Sequence, residues 1–258
     1  MSTQSWRLDL QYDGTDFHGW ARQPGLRTVQ AEVERALSTA LREPVRVRVA
    51  GRTDAGVHAW TQVASFVTSR KGGRVDPRQL LLSLNALLPE DVAVTAVAPA
   101  PTGFDARAAT ARTYRYLVWL GPVRPVRERR YVWHVRGDVD VAALRDSAKL
   151  FVGRRDWAAC TPSAHLYHTC VREVRAAAWL QLDATRLSPG GNAEVLAFEI
   201  TAAGFLHNMV RVAVGTMVDV ACGRLSLDDV EAALAAGERR RMGQTAPARG
   251  LALVRVEY

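Results

Sequence analysis

No stretch of this sequence is apolar enough to cross a bilayer. The longest runs free of Lys, Arg, Asp and Glu, at 55–69 and 157–171, are fifteen residues each and carry polar groups, whereas a spanning helix needs about 18 or more apolar residues. Cysteine is scarce, three in 258 residues, so no disulfide framework is expected, and the number suits a reducing compartment. The N-terminus has no basic-then-apolar signal region, and the expected location is the cytoplasm. No Pro, Ser or Gln bias marks disorder. Gly-x-Gly-x-x-Gly, a phosphate-loop lysine and Gly-x-Ser-x-Gly are all missing, which removes the usual local signs of nucleotide cofactors and serine hydrolysis. A cofactor-free reaction is favoured. Lysine is nearly absent too. Of 34 basic residues only Lys71 and Lys149 are lysine.

The remaining composition describes a folded protein, 48% hydrophobic and 23% charged with a net charge of +8, long enough for one large domain or two ordinary ones. Residues 1–129 hold 18 bases against 12 acids and residues 130–258 hold 16 against 14, so the excess lies mainly in the first half. A basic balance favours a polyanionic partner, and arginine binds phosphate bidentately. An arginine-rich proteome accounts for the same count.

Periodicity lays out the elements. Trp6, Leu8, Leu10 and Tyr12 alternate into Asp13-Gly14, a strand entering a turn. Thr28 is placed to cap a helix through Leu41, which Glu43-Pro44 ends. Val45, Val47 and Val49 alternate with Arg46 and Arg48, a strand with one apolar and one basic face. Strands are expected at 62–68, 92–97 and 113–120, with a helix at 77–87 behind Asp76. Then follow a helix at 139–151, strands at 171–182 and 195–201, helices at 205–220 and 227–236, and a closing strand over 252–258. Consecutive strands without intervening helices imply antiparallel pairing. The fold class is α+β, in two similar halves at 1–112 and 113–258, with a ligand cleft between such halves an ordinary location.

Five clusters could carry chemistry. Gly51-Arg52-Thr53-Asp54-Ala55-Gly56-Val57-His58 lies between two expected strands; it reads either as a turn or as a constrained loop presenting Asp54 as nucleophile or base. Tyr12 to Trp20 is a strand-turn segment rich in aromatics. The segment 106–127 has five arginines (Arg107, Arg112, Arg115, Arg124, Arg127) and no acid, interleaved with Tyr114, Tyr116 and Trp119. That mixture suits nucleic acid, phosphates going to arginine and unstacked bases to aromatic faces, or a strand with tyrosines inside and arginines in water. Arg211 stands among apolar residues of an expected helix, where it either pairs with an acid or snorkels from the helix edge. Cys160, His165, His168 and Cys170 lack the separated ligand pairs of a structural zinc site, and a loop is the expectation there.

The clusters also occur in an order. Tyr12-Asp13-Gly14-Thr15-x-Phe17-x-Gly19-Trp20, Thr28-Val29-Gln30, Gly51 to Ala59 and Gln62-Val63 together resemble the tRNA pseudouridine synthase A family. So do Asn85 with Leu88-Pro89-x-Asp91, Phe104-x-Ala106-Arg107, Ala111-Arg112-x-Tyr114-x-Tyr116, Phe205-Leu206-x-x-Met209-Val210-Arg211 with Gly215, and Ala248-x-Gly250-Leu251-x-Leu253-x-x-Val256-x-Tyr258. The resemblance implies isomerisation of uridine to pseudouridine at tRNA positions 38, 39 and 40 in the anticodon stem-loop, with no cofactor; that no metal and no membrane partner are expected follows from the Cys160–Cys170 spacing and the lack of a spanning stretch. It implies a homodimer, and two α+β halves sharing a central antiparallel sheet with a basic cleft between them. By position, Asp54 is the catalytic aspartate, Arg211 the arginine paired with it, and Tyr114 the tyrosine stacking on the target base. Arg52 helps displace that base, and Arg107, Arg112 and His58 complete the expected substrate-binding set. Two positions depart from the family pattern, Ala21 where Gln is usual and Asp105 where His is common. Two other functions remain to be distinguished, a non-catalytic tRNA-binding or folding protein using the same basic surface, and a zinc-dependent nucleoside enzyme built on the Cys160–Cys170 segment.

Overall fold

In a computed structural model, residues 3–69, 75–183 and 194–258 are described. The chain is α+β with a mostly antiparallel sheet, and it divides into two compact units: Met1–Arg112 with Leu253–Tyr258, and Thr113–Ala252. Among the described residues no helix is long and apolar enough to cross a membrane.

The first unit orders its strands β4-β1-β3-β10, where β1 is Gln4–Tyr12, β3 His58–Thr68, β4 Val92–Pro99 and β10 Leu251–Glu257. β1 pairs antiparallel with both β3 (Trp6↔Phe66, Leu8↔Ala64) and β4 (Leu8↔Val97). The alternation read from the sequence sends Trp6, Leu8, Leu10 and Tyr12 into the core. Helix α1, Val29–Leu41, buries Val29, Val33, Ala36, Leu37 and Leu41. Helix α2, Pro77–Leu87, starts as Asp76 and Pro77 predict: the Asp76 carboxylate accepts from Arg78 N, and proline sits where its missing N–H costs nothing. Asn85 then ties α2 to β4, its amide bonding Val94 O and Val94 N at 2.9 Å each, like an extra strand residue.

Two local expectations are corrected. Thr28 occupies the cap position of α1, but its hydroxyl makes no capping bond. The first-turn amides go elsewhere, Val29 N to Gly19 O and Gln30 N to Trp20 O. The 45–49 strand shrinks to β2, Arg48–Val49, which pairs with Ser65 and Ala64. The valines do face inward and the arginines outward, but Val45 N donates to Ser38 Oγ (3.0 Å) and Val47 N to Glu34 Oε1 (3.1 Å). Amides bonded to helix side chains are withdrawn from a ladder.

The second unit orders its strands β5-β9-β8-β7: β5 Ala111–Leu120, β7 Gly153–Asp156, β8 Val171–Leu182 and β9 Glu194–Ala202. A short β6, Trp133–Val135, runs parallel to β5. Neither β6 nor β7 has enough residues to show a period, which is why the sequence did not reveal them. The helix expected over 139–151 is α3, Val141–Ser147, capped by Asp140 and continued as 3₁₀ turns to Phe151. The 205–220 helix is α4, starting later, at Met209–Ala221. Asn208 is left-handed (φ 60) and so breaks the helix that the apolar pattern would have continued backward. α4 is nearly all buried, and Trp179 on β8 donates its indole N–H to Met217 Sδ at 3.3 Å. Helix α5, Leu227–Ala236, opens on a Ser226–Asp229 capping box and closes on left-handed Gly237.

Candidate active site

Asp54 lies half-buried in the loop joining β2 to β3. The loop is a tight turn, Val57 N donating to Asp54 O at 3.1 Å, and Gly56 supplies the left-handed residue (φ 76) that such a reversal needs. Its flanks are held from three directions. From the segment after β1, Trp20 N donates to Thr53 O (3.0 Å) and Phe17 O accepts from Gly56 N (3.2 Å). From β3, Gln62 Nε2 donates to Gly51 O (2.7 Å) and to the Tyr12 hydroxyl (3.3 Å). Because an amide NH2 only donates, the Tyr12 hydrogen is left for Thr53 Oγ1, 2.8 Å away. Third, Arg112 donates Nε to Ala50 O (2.8 Å).

The two loops touch too closely for side chains at their crossing. A Cβ on Gly14 would overlap the Val57 carbonyl, and one on Gly19 (φ 85) would lie 2.8 Å from Thr53 O. The Asp-Gly and Gly-Trp steps of the Tyr12–Trp20 cluster are therefore backbone-to-backbone contacts with the Asp54 loop. Burial pushes the Tyr12 phenol up to about 12, so it is a neutral hydrogen-bonding post rather than an acid in the reaction.

The structure gives the expected binding residues different surroundings. Arg52 and Arg107 are exposed. Arg112 is buried, and besides Ala50 it donates Nη1 to Ala109 O (2.6 Å) and Nη2 to Arg107 O (3.0 Å). His58 is buried, and its Nδ1 accepts from Gly14 N at 3.0 Å. Asp13 Oδ1 lies 3.1 Å from the same ring nitrogen. Arg112 and His58 thus bind the backbone that frames Asp54.

In the second unit, Tyr114 on β5 is buried edge-on to Phe205, ring centroids 5.1 Å apart. Arg211 lies in the first turn of α4 and is half-buried. Its Nη1 donates to Asn208 Oδ1 (2.7 Å) and its Nε to Ala246 O (2.8 Å). Left-handed Asn208 therefore both stops the helix and holds the guanidinium. The segment after α5 comes this close to α4 only through glycines: a Cβ on Gly215 would overlap Gln244 O, while Gly243 faces Thr216 and Asp219.

The Cys160–Cys170 segment is a packed loop. Both thiols are buried, burial pushing Cys160 up to about 12, while His165 and His168 are exposed. Ser163 Oγ meets His207 Nδ1 at 2.9 Å, and His207 N donates to the Tyr167 hydroxyl at 2.9 Å. The loop thereby pins the 205–208 turn. Among the described residues no three His, Cys, Asp or Glu side chains are grouped to hold a metal ion.

Sequence reasoning did not find Glu34. This carboxylate is buried in α1 and accepts from Arg46 (2.7 Å), Gln30 (3.0 Å) and Val47 N. A signal existed, since Glu34 falls on the apolar stripe of α1, four residues after Gln30.

A family model described as tRNA pseudouridine synthase matches residues 10–107 and 147–258 of this chain. The chain is similar to tRNA pseudouridine synthase A of Geobacter sulfurreducens, 41% identical over 253 residues that cover 98% of each protein. The enzyme of that name from Solidesulfovibrio magneticus is 45% identical over 259 residues, covering 98% of this chain and 90% of its own length. That of Syntrophotalea carbinolica is 40% identical, covering 98% and 95%.

Proposed function

Because the chain belongs to the tRNA pseudouridine synthase family, we propose that it converts uridine to pseudouridine at positions 38, 39 and 40 of the anticodon stem-loop, with Asp54 as the catalytic carboxylate and no cofactor. In reaction class it is an isomerase acting on tRNA uridine. The bond from N1 of uracil to the ribose C1′ breaks, the base turns, C5 joins C1′, the C5 proton leaves and N1 takes up a proton. Atoms balance without an oxidant or a second substrate.

The observation that carries this reading is the Asp54 loop, clamped by Tyr12, Gln62, Trp20 and Arg112 before one half-buried carboxylate and by Phe17 after it. Such fixing suits a group that must meet a single carbon, at C6 of the base or C1′ of the sugar, because misplacement of about 1 Å can cost about a hundredfold in rate. Arg211 is assigned to pair with Asp54, and its anchoring by Asn208 and Ala246 O supports a fixed rather than a roaming guanidinium. Tyr114, held edge-on by Phe205, is assigned to stack on the target base. Arg52 is assigned to displace it, a step that costs a few kcal/mol and least at a loop or helix end. Arg107 is assigned to phosphate; Arg112 and His58 serve the site through the backbone they hold. Residues 1–112 are assigned to the domain carrying Asp54 and 113–258 to the one carrying Tyr114 and Arg211, with the last residues, Leu253–Tyr258, grouping with the first. The homodimer and the cytoplasmic location belong to the same reading, supported by the resemblance to the family.

The test is tritium release from tRNA transcripts carrying 5-tritiated uridine, with chelator present. The wild type should release tritium from the anticodon arm. Asp54→Ala should keep tRNA binding and lose more than about a thousandfold in rate, as removal of a reacting group does. Product at near wild-type rate from Asp54→Ala sinks the assignment. If tRNA binds and the wild type releases nothing, the chain is a non-catalytic RNA binder.

A further inference from the structure

Ser65, buried on β3, brings two arginines together. It pairs in register with Arg48 of β2, and its hydroxyl accepts from Ala106 N (3.0 Å), fixing the short turn that carries Arg107. Both guanidiniums then converge on Asp105: Arg48 Nη1 lies 3.0 Å from Oδ2, Arg107 Nη2 2.7 Å from Oδ2, and Arg107 Nε 3.1 and 3.0 Å from Oδ1 and Oδ2. Both arginine side chains are nonetheless about two-thirds exposed, at 63% and 64%. They line an open cavity of about 470 Å3 that Arg52, two residues before Asp54, also lines.

A carboxylate and a phosphodiester present the same acceptor to an arginine, two anionic oxygens in a fork. We infer that Arg48 and Arg107 are a clamp for one backbone phosphate of the RNA, and that Asp105 occupies this clamp in the free protein and is displaced when RNA docks. This rests on the tRNA-binding reading above. Displacement is feasible because exposed ion pairs contribute little, and because RNA already held elsewhere presents its phosphate at high effective concentration. Asp105 is also a persistent competitor, since the adjoining Arg107 guanidinium lowers its carboxyl to about 2 and it stays ionised throughout the working range. Asp105 thus sets how tightly RNA is held and how steeply that depends on salt.

The measurement is equilibrium binding of an unmodified tRNA transcript to the full chain across a KCl series. Asp105→Asn keeps the side-chain oxygen that accepts from Arg107 N and removes the charge. It should tighten binding about two- to fivefold at low salt, the range of an exposed ion pair. Arg48→Ala and Arg107→Ala should weaken binding and, as a pair, reduce the slope of log K against log salt by about one, for one lost phosphate contact. In the double Arg48→Ala, Arg107→Ala background the gain from Asp105→Asn should vanish. Should Asp105→Asn melt early, Asp105→Ser supplies another turn-capping oxygen without charge. Unchanged or weaker binding by a folded Asp105→Asn, or a gain that persists without the two arginines, overturns the clamp. Tritium release separates the two readings: release by the wild type with no Asp105 effect removes the clamp alone, whereas the Asp105 effect without release removes the catalytic proposal alone.

Discussion

Tyr12 shows how a single residue serves the site without entering the reaction. Its hydroxyl joins Gln62 to Thr53, one position before Asp54. Tyr12→Phe keeps the ring and removes that link, leaving a buried hydroxyl and an amide short of a partner. The expected cost is about 1–2 kcal/mol of stability, with kcat falling more than KM because the loop, not the RNA, loses its support. The same residue has a pH signature. Its folded-state pKa, about 12, lies above the ordinary value of 10. The stabilisation is therefore whole below about pH 10 and drains away as pH rises through about 12. Thermal melts across that window should show the wild type losing stability more steeply than Tyr12→Phe. Equal melting temperatures at neutral pH would remove Tyr12 from this role.

Among the elements, α4 is the one whose propensity and packing disagree. Gly215 sits inside a helix, where alanine is ordinarily better by about 1 kcal/mol. Here a Cβ would overlap Gln244 O, in the segment whose Ala246 carbonyl also holds Arg211. Gly215→Ala should therefore destabilise, by about 1–3 kcal/mol as overpacking does, lowering Tm by several degrees and reducing activity through Arg211. A rise in Tm would mean that the segment moves freely and does not fix α4. Helix ends tell a related story. α2 begins where Asp76 says it should, whereas α1 is met by the carbonyls of Gly19 and Trp20 and α4 is cut short by left-handed Asn208.

For the whole molecule, the proposed homodimer is the property to measure, since each chain is 28.3 kDa. Sedimentation velocity of the protein alone at working concentration should give about twice that mass. A chain-sized species that remains fully active would remove the dimer from the reading. Charge acts at this scale as well. The excess of +8 favours association with RNA, yet several arginines are already engaged within the protein, Arg46 with Glu34 and Arg48 and Arg107 with Asp105. The count of 34 basic residues therefore overstates what is ready to meet phosphate, whereas the net charge already subtracts such pairs.

The sequence by itself determined the periodic elements, their order and the family. Alternation in β1 and β10, the 3.6-residue stripe of α1, and the cap of α2 are local signals, and the ordered blocks around Asp54, Tyr114 and Arg211 carry the resemblance. Tertiary structure decided what those blocks are for. That Asp13-Gly14 and Gly19-Trp20 are contact points for the Asp54 loop, that Arg112 and His58 hold backbone, that Val45 and Val47 leave the strand for Ser38 and Glu34, and that Asp105 lies between two arginines are all long-range facts. Side chains bonding backbone tens of residues away follow no period in the chain. Only the fold brings Tyr12 to Thr53, Arg112 to Ala50 and Arg48 to Asp105, and with them the support on which a single carboxylate at position 54 depends.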